Sequence, residues 1–198
     1  RDFCLSRGLG DVYKRQKYSK AFMEAAAASR VSPYHLASRV KQEVVISSTM
    51  MSSSVSGNVA GYKGIYNFYN IGANSGANAV KNGLKWASTG TDYSRPWNNR
   101  YRSIYGGACY IGKQYINVGQ NTLYLQKFNV TATKRYDHQY MANIEAPNNE
   151  ATKTANAYGS DKDNTPIVFS IPVYNNMPVS ACDIPSGGKN PVSYTHLR

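Results

Sequence analysis

Glu43 is the side chain of this sequence best placed to move a proton. It closes the run Ser32-Pro33-Tyr34-His35-Leu36-Ala37-Ser38-Arg39-Val40-Lys41-Gln42-Glu43. Ser32 suits a helix N-cap, and Pro33 suits the first turn. At about 100° per residue, Leu36, Val40 and Val44 form one apolar stripe, and Glu43 falls beside it. A carboxyl group held there is pulled out of water, which raises its pKa toward the range of an acid catalyst near neutral pH. The alternative is a helix-end glutamate that curls back into solvent.

The next candidate segment is Gly61-Tyr62-Lys63-Gly64-Ile65-Tyr66-Asn67-Phe68-Tyr69-Asn70-Ile71-Gly72-Ala73. Aromatic faces stack on sugar rings, and Asn amides offer both donor and acceptor to hydroxyl and acetamido groups. Tyr66, Asn67, Tyr69 and Asn70 are therefore candidate sugar contacts. A Tyr-rich strand or hairpin with Gly turns explains the same composition. Other chemistries find little support. There is no CxxC, HExxH or comparable spacing, so neither a metal nor another cofactor is expected. His35 and His138 have no Ser-His-Asp arrangement around them. Cys109 and Cys182 could pair in an oxidising compartment or remain thiols, since spacing does not show proximity.

The two ends read as foreign. Ser6 to Gln16 (SRGLGDVYKRQ) back-translates to a transposon-type sequencing adapter. Val192 to His196 is encoded by the reverse complement of part of the same DNA, in a shifted frame. Residues 1–16 and 191–198 are accordingly taken as adapter scars and set aside from the fold. Residues 17–177 then form one domain and 178–190, with Ser186-Gly187-Gly188-Lys189, a linker. The formal charge is +12 for the whole chain and +9 without the five basic and two acidic residues of the scars. Nucleic acid, an anionic membrane surface or an anionic cell wall would all attract such a domain. Nucleic acid is disfavoured because no binding fingerprint is present. No run is long and apolar enough to span a bilayer as a helix.

Several elements must position these residues. Helices are expected at Lys17–Ser29, Ser32–Val45, Ser75–Ser88, Pro96–Tyr105, Gly107–Val118, Tyr136–Ile144 and Asn149–Tyr158, with Gly119 as a C′ glycine. Ile46–Val59, rich in Ser, reads as a mobile loop. Thr165–Tyr174 (TPIVFSIPVY) is β-like, with Pro172 restricting it to an edge or an extended stretch. Trp86 and Trp97 read as core. The fold class is α+β, predominantly α, with a small β element.

Taken in order, SPYHLASRVKQE, GYKGIYNFYNIGA, YGGACYIGKQYINVGQNTLYLQKFNV and HQYMANIEAP resemble the endo-β-N-acetylglucosaminidases of bacterial autolysins, glycoside hydrolase family 73. The resemblance covers most of residues 17–180. It implies a lysozyme-like fold with a long substrate cleft, and cleavage of the β-1,4 bond after N-acetylglucosamine in peptidoglycan. It also implies a secreted, wall-located enzyme acting on glycan strands; the basic charge adds anionic wall polymers as partners, and a monomer is expected. Under it, Glu43 matches the catalytic acid at the end of the SRxxQE helix. Tyr140 looks like a late cleft-facing tyrosine, with core packing as its alternative. Gln120, Asn121, Tyr124 and Gln139 could line the same groove, or Gln120 to Tyr124 could be a packing device between helices. Two departures stand out. Val44-Val45-Ile46 follows Glu43 where relatives commonly carry Gly, and Met141-Ala142-Asn143 replaces a frequent Ala-Thr-Asp.

A glycosidase usually needs two carboxyl groups. After Glu43 the next acidic residue is Asp92, so Val44 to Thr91 supplies none. Either Asp92 or Asp137 folds into the cleft, or the substrate's own acetamido oxygen attacks the anomeric carbon. The empty interval favours the second route. A wall-binding module without turnover and a lytic transglycosylase are the competing functional expectations.

Overall fold

The structure, a computed structural model, describes residues 18–180 apart from 75, 133, 141 and 142, without the side chains of Ala157 and Lys162. The two adapter-like ends, Cys182, Met141-Ala142 and most of the expected linker lie outside the described residues. Six α-helices order the rest: α1 (Tyr18–Ser29), α2 (Pro33–Val44), α3 (Ala79–Ser88), α4 (Arg100–Gln114), α5 (Leu123–Phe128) and α6 (Ala146–Tyr158). Short 3-10 turns at Ser53–Val55, Asp92–Ser94, Ile116–Val118 and Gly159–Asp163 link them.

Helix α2 follows its periodicity. Leu36, Val40 and Val44 are fully buried, and they join Phe22 and Ala25 of α1 and Ile104, Ala108 and Ile111 of α4 in one core. Ser32 takes the N-cap position without a side-chain cap bond, and Pro33 begins the helix. Helices α1 and α4 form the principal pair, and α2 packs on α1. Gly112 allows this: a Cβ there would lie 2.5 Å from the Ser29 carbonyl oxygen at the end of α1. Asn117 Nδ2 also donates to that carbonyl at 2.9 Å.

Helix α4 joins the two helices expected from the sequence into one. The sequence pattern breaks at Gly106-Gly107, because glycine in a helix interior costs about 1 kcal/mol relative to Ala. Both glycines are contact points. A Cβ on Gly106 would strike the Tyr93 carbonyl oxygen and the Trp97 indole, and one on Gly107 would strike the Tyr69 ring. Trp97 is fully buried and donates Nε1–H to Tyr93 O at 2.8 Å. Trp86 packs edge-on against it at 5.2 Å between ring centres.

Other expectations are corrected. Ile46–Val59 is tied down: Val45 and Met51 form an antiparallel bridge, and Ser54 and Val55 are buried. That bridge is the only β pairing among the described residues. Thr165–Tyr174 is irregular and exposed, with Val168 92% accessible. It has no partner strand there, and Pro166 and Pro172 remove two donors. Tyr136–Ile144 is turns rather than helix over its described residues, with positive φ at Tyr136 and His138. Buried Asn129 and Gln120 divert that backbone: Asn129 Nδ2 donates to Asp137 O at 2.5 Å, and Gln120 Nε2 donates to His138 O at 3.0 Å.

Two outcomes follow for stability. Gly107→Ala should destabilise by about 1–3 kcal/mol through overpacking, and should displace Tyr69, seen as altered near-UV circular dichroism and a lower denaturation midpoint. His35, in the first turn of α2, has its pKa lowered to about 3, chiefly by burial and secondarily by Arg39. The folded state therefore stays neutral where the unfolded chain takes a proton. Stability should fall as pH drops from about 6.5 toward 3, with a slope of up to about 1.4 kcal/mol per pH unit from this group. Melting His35→Gln across that window should give a shallower acid limb.

Candidate active site

Glu43 ends the buried face of α2 and is 8% exposed. The loop carrying the Tyr/Asn segment lies against it: Asn70 Nδ2 donates to Glu43 O at 2.6 Å and to Glu43 Oε2 at 3.4 Å. Asn70 in turn lines a cleft of about 390 Å³ whose walls include Tyr69, Tyr110, Tyr115, Gln139 and Tyr140. The acid and the aromatic cluster, remote from one another in sequence, thus meet.

The loop's shape comes from internal polar bonds. Asn67 is 0% exposed; its Nδ2 donates to Ile71 O at 2.8 Å and Gly83 O at 3.0 Å, and its Oδ1 accepts from Ile71 N. Asn67 therefore holds the loop to α3, where the sequence suggested a sugar contact. Tyr66 also sits apart from the cleft, with its ring beside Gly57 and under the Arg100 guanidinium, 5.1 Å away. Tyr69 stays at the cleft. Its ring lies on Gly107, and its buried hydroxyl has no hydrogen-bond partner among the described residues. Burial pushes that phenol well above its usual pKa.

The opposite wall is built from the segment after α5. Tyr140 N donates to Gln126 O at 2.8 Å, and the Tyr140 ring packs edge-on against Tyr115 at 5.0 Å. Burial pushes its phenol up to about 12, with Arg39 acting in the other direction. It is a neutral hydroxyl at physiological pH. Gln139 lines the cleft too, and its Oε1 accepts from Lys127 Nζ at 3.0 Å. Gln120 is internal: beyond His138 O it bonds Leu125 O, and its Oε1 meets His138 Nδ1 at 2.9 Å. His138 stacks on Tyr115 at 4.5 Å. Tyr124 lies outside this wall, its hydroxyl 2.6 Å from that of Tyr174.

Sequence reasoning missed Arg39. Only 2% exposed, it sits one turn before Glu43 and pairs with Glu150 of α6 at 2.9 Å. It also donates to Gln126 Oε1 of α5 at 2.7 Å and covers the Tyr140 ring at 4.3 Å. The SR pair before Glu43 was the visible signal, but its partners are far along the chain. Glu150 is pushed up by burial and held down by Arg39.

The two further carboxylates the sequence offered, Asp92 and Asp137, are not among the residues lining this cleft. Asp92, its side chain 80% exposed, faces Arg95 at 3.6 Å and opens on a separate hollow beside Cys109 and Lys113. Asp137 Oδ1 accepts from His138 N at 2.7 Å. The described residues lining the cleft include no Asp or Glu; Glu43 itself adjoins it through Asn70. No group of three or more His, Cys, Asp or Glu there could hold a metal ion.

No protein-family model matches the chain. A bifunctional autolysin of Staphylococcus epidermidis is 32% identical over 109 residues, which is 55% of this chain and 8% of that protein. A second S. epidermidis bifunctional autolysin is 35% identical over 83 residues, 42% of this chain and 6% of that protein. S. aureus autolysin E in complex with the muropeptide NAM-L-Ala-D-iGlu superposes with TM-score 0.55 at 26% identity, over 72% of this chain and 60% of that one. This chain is similar to the staphylococcal autolysins. Its mostly helical fold is that of autolysin E over the matched part. A catalytic glutamate-to-alanine mutant of autolysin E, solved with the disaccharide NAG-NAM, superposes with TM-score 0.54 at 24% identity, covering 72% of this chain and 60% of that one. The chain spans less than a tenth of the length of the curated relatives it matches. Among the described residues no helix is long and apolar enough to cross a membrane.

The Arg39 node yields a stability test. Arg39→Met would leave the Glu150 carboxylate buried without its partner, at a cost of about 3–5 kcal/mol. Adding Glu150→Gln should restore much of this. Chemical denaturation of the two variants measures both effects.

Proposed function

We propose that residues 17–177 form a peptidoglycan hydrolase domain, an endo-β-N-acetylglucosaminidase that cleaves the β-1,4 bond between N-acetylglucosamine and N-acetylmuramic acid. The observation that carries this is the junction of buried Glu43 with Asn70 at the edge of a tyrosine-lined cleft, in a chain similar to autolysins. The glycan ligands of autolysin E belong to the same substrate class.

In this mechanism Glu43 is the general acid. It hands its proton to the departing glycosidic oxygen as the anomeric bond breaks. The substrate's 2-acetamido oxygen attacks the anomeric carbon from the opposite face, forming a cyclic oxazolinium ion that water then opens. The run from Val44 to Thr91, which holds no Asp or Glu, supports this route over a second protein carboxylate close to Glu43 in the chain. Tyr140, neutral at working pH, accepts the acetamido N–H on its phenol oxygen and steadies the positive charge that develops on the oxazolinium ring. Gln139 contacts the sugar, with Tyr110 and Tyr115 forming the aromatic wall and buried Tyr69 lying beneath it. The tyrosines give apolar area with polar tips, as amphipathic sugar rings require.

The domain acts outside the cell, at the wall. Its formal charge of +12, or +9 without the adapter-like ends, draws it to teichoic-acid phosphates and peptide carboxylates. Wall binding should therefore weaken as salt rises.

Glu43→Gln should lower hydrolysis of purified peptidoglycan by roughly a thousandfold or more while leaving the fold intact. Mass spectrometry of wild-type products should find reducing N-acetylglucosamine ends. Anhydro-muramic ends would instead identify a lytic transglycosylase, and binding without soluble products a wall-binding module. Asp92→Ala and Asp137→Ala should retain most activity; a loss as deep as that of Glu43→Gln in either would refute acetamido assistance.

A further inference from the structure

Asn70 occupies a backbone position that side chains usually avoid. Its φ is 50°, in the left-handed region, which is strained for a residue bearing a Cβ. Asn bears that strain better than most residues, but nothing in the turn itself requires its amide. The amide is used elsewhere. One group, Nδ2, donates to the backbone carbonyl of Glu43 at 2.6 Å and to its carboxyl Oε2 at 3.4 Å. That carbonyl belongs to the last turn of α2, where helix carbonyls have no partner within the helix. The same side chain thus caps the helix and grips the functional group of its penultimate residue.

We propose that Asn70 is a positioning residue for Glu43, orienting its carboxyl group at the cleft edge, rather than a residue that reads the sugar. This rests on Glu43 being the acid. An N–H donor at Oε2 disfavours a proton on that oxygen, so the transferable proton resides on Oε1. Asn70 thereby selects which oxygen carries the hydrogen and which way the carboxyl plane faces. A donor to the carboxylate also favours the charged form, so removing it should raise the pKa of Glu43. The titratable groups on the surrounding elements are Tyr34, His35, Arg39 and Lys41 on α2, Tyr18, Lys20 and Glu24 on α1, Tyr66 and Tyr69 on the loop, Tyr140, and Glu150 behind Arg39. None is changed by substitution at Asn70.

The test compares wild type, Asn70→Gly and Asn70→Asp. Gly takes φ 50° without strain, so its fold should survive, and a thermal melt checks this. Asp keeps the shape but sets a second carboxylate beside the first. Proteins labelled with ¹³C at the glutamate side-chain carboxyl are titrated by NMR, with Glu43→Gln identifying the resonance. The Glu43 midpoint should rise by roughly half to one pH unit in Asn70→Gly, and further, in a salt-dependent way, in Asn70→Asp. On peptidoglycan, Asn70→Gly should lose roughly tenfold in kcat with KM nearly constant, and its alkaline limb should shift upward. An unchanged Glu43 midpoint in Asn70→Gly would overturn the proposal, as would a raised KM at constant kcat, the signature of a lost sugar contact. The NMR titration needs no substrate. It therefore decides the role of Asn70 even if the wild type proves inert on glycan, a result that would count against the hydrolase assignment alone.

Discussion

A single buried guanidinium joins the parts of this domain that come from distant stretches of sequence. Arg39 leaves α2 one turn before Glu43 and meets α5 through Gln126, α6 through Glu150, and the cleft wall through the Tyr140 ring. A charge removed from water must be compensated on every side, or the fold loses several kcal/mol. That requirement fixes α5 and α6 against α2, although they share little of the apolar core. Packing of Leu36, Val40 and Val44 sets where α2 lies; Arg39 sets what surrounds its final turn.

The same division of labour governs the loop that carries Tyr69 and Asn70. Its backbone has no strand partner, so Tyr66 N and Asn67 N donate to the carbonyls of Trp97 and Ser54, and side chains take up Phe68 N and Ile71 N. Asn67 holds Ile71 and Gly83, and Ser103 Oγ on α4 accepts from Phe68 N at 3.1 Å. Once these internal bonds are made, the neighbouring residues have little freedom. Tyr69 lies on a helix and Asn70 meets the end of another. The aromatic wall is a product of the polar bonding beneath it.

What the sequence made legible was local. The 3.6-residue period of α2 gives both the helix and the burial of Glu43, because the two follow from one spacing. The density of Tyr and Asn in residues 61–73 marks the segment that meets it. Long-range pairing was hidden: Arg39 and its partners Gln126 and Glu150 are 87 and 111 positions apart. Asn67 and Asn70 look alike in the sequence, yet one is internal and the other reaches Glu43, since only tertiary contact distinguishes them. Gly106-Gly107 read as a break because propensity is a local quantity, and the reason for two glycines lies in the groups that press on them. Thr165–Tyr174 has strand-like composition without a strand, since composition supplies no neighbour to pair with.

The glycine pair in α4 also bears on how the molecule assembles. A helix with two adjacent glycines at its middle is a poor helix in isolation. Its contacts with the Tyr69 ring, the Trp97 indole and the Tyr93 carbonyl must offset that weakness. Helix and loop are therefore coupled in stability, each packed as it is because of the other. A loosened cleft floor would be felt at the centre of the domain, and a frayed α4 would erase the floor.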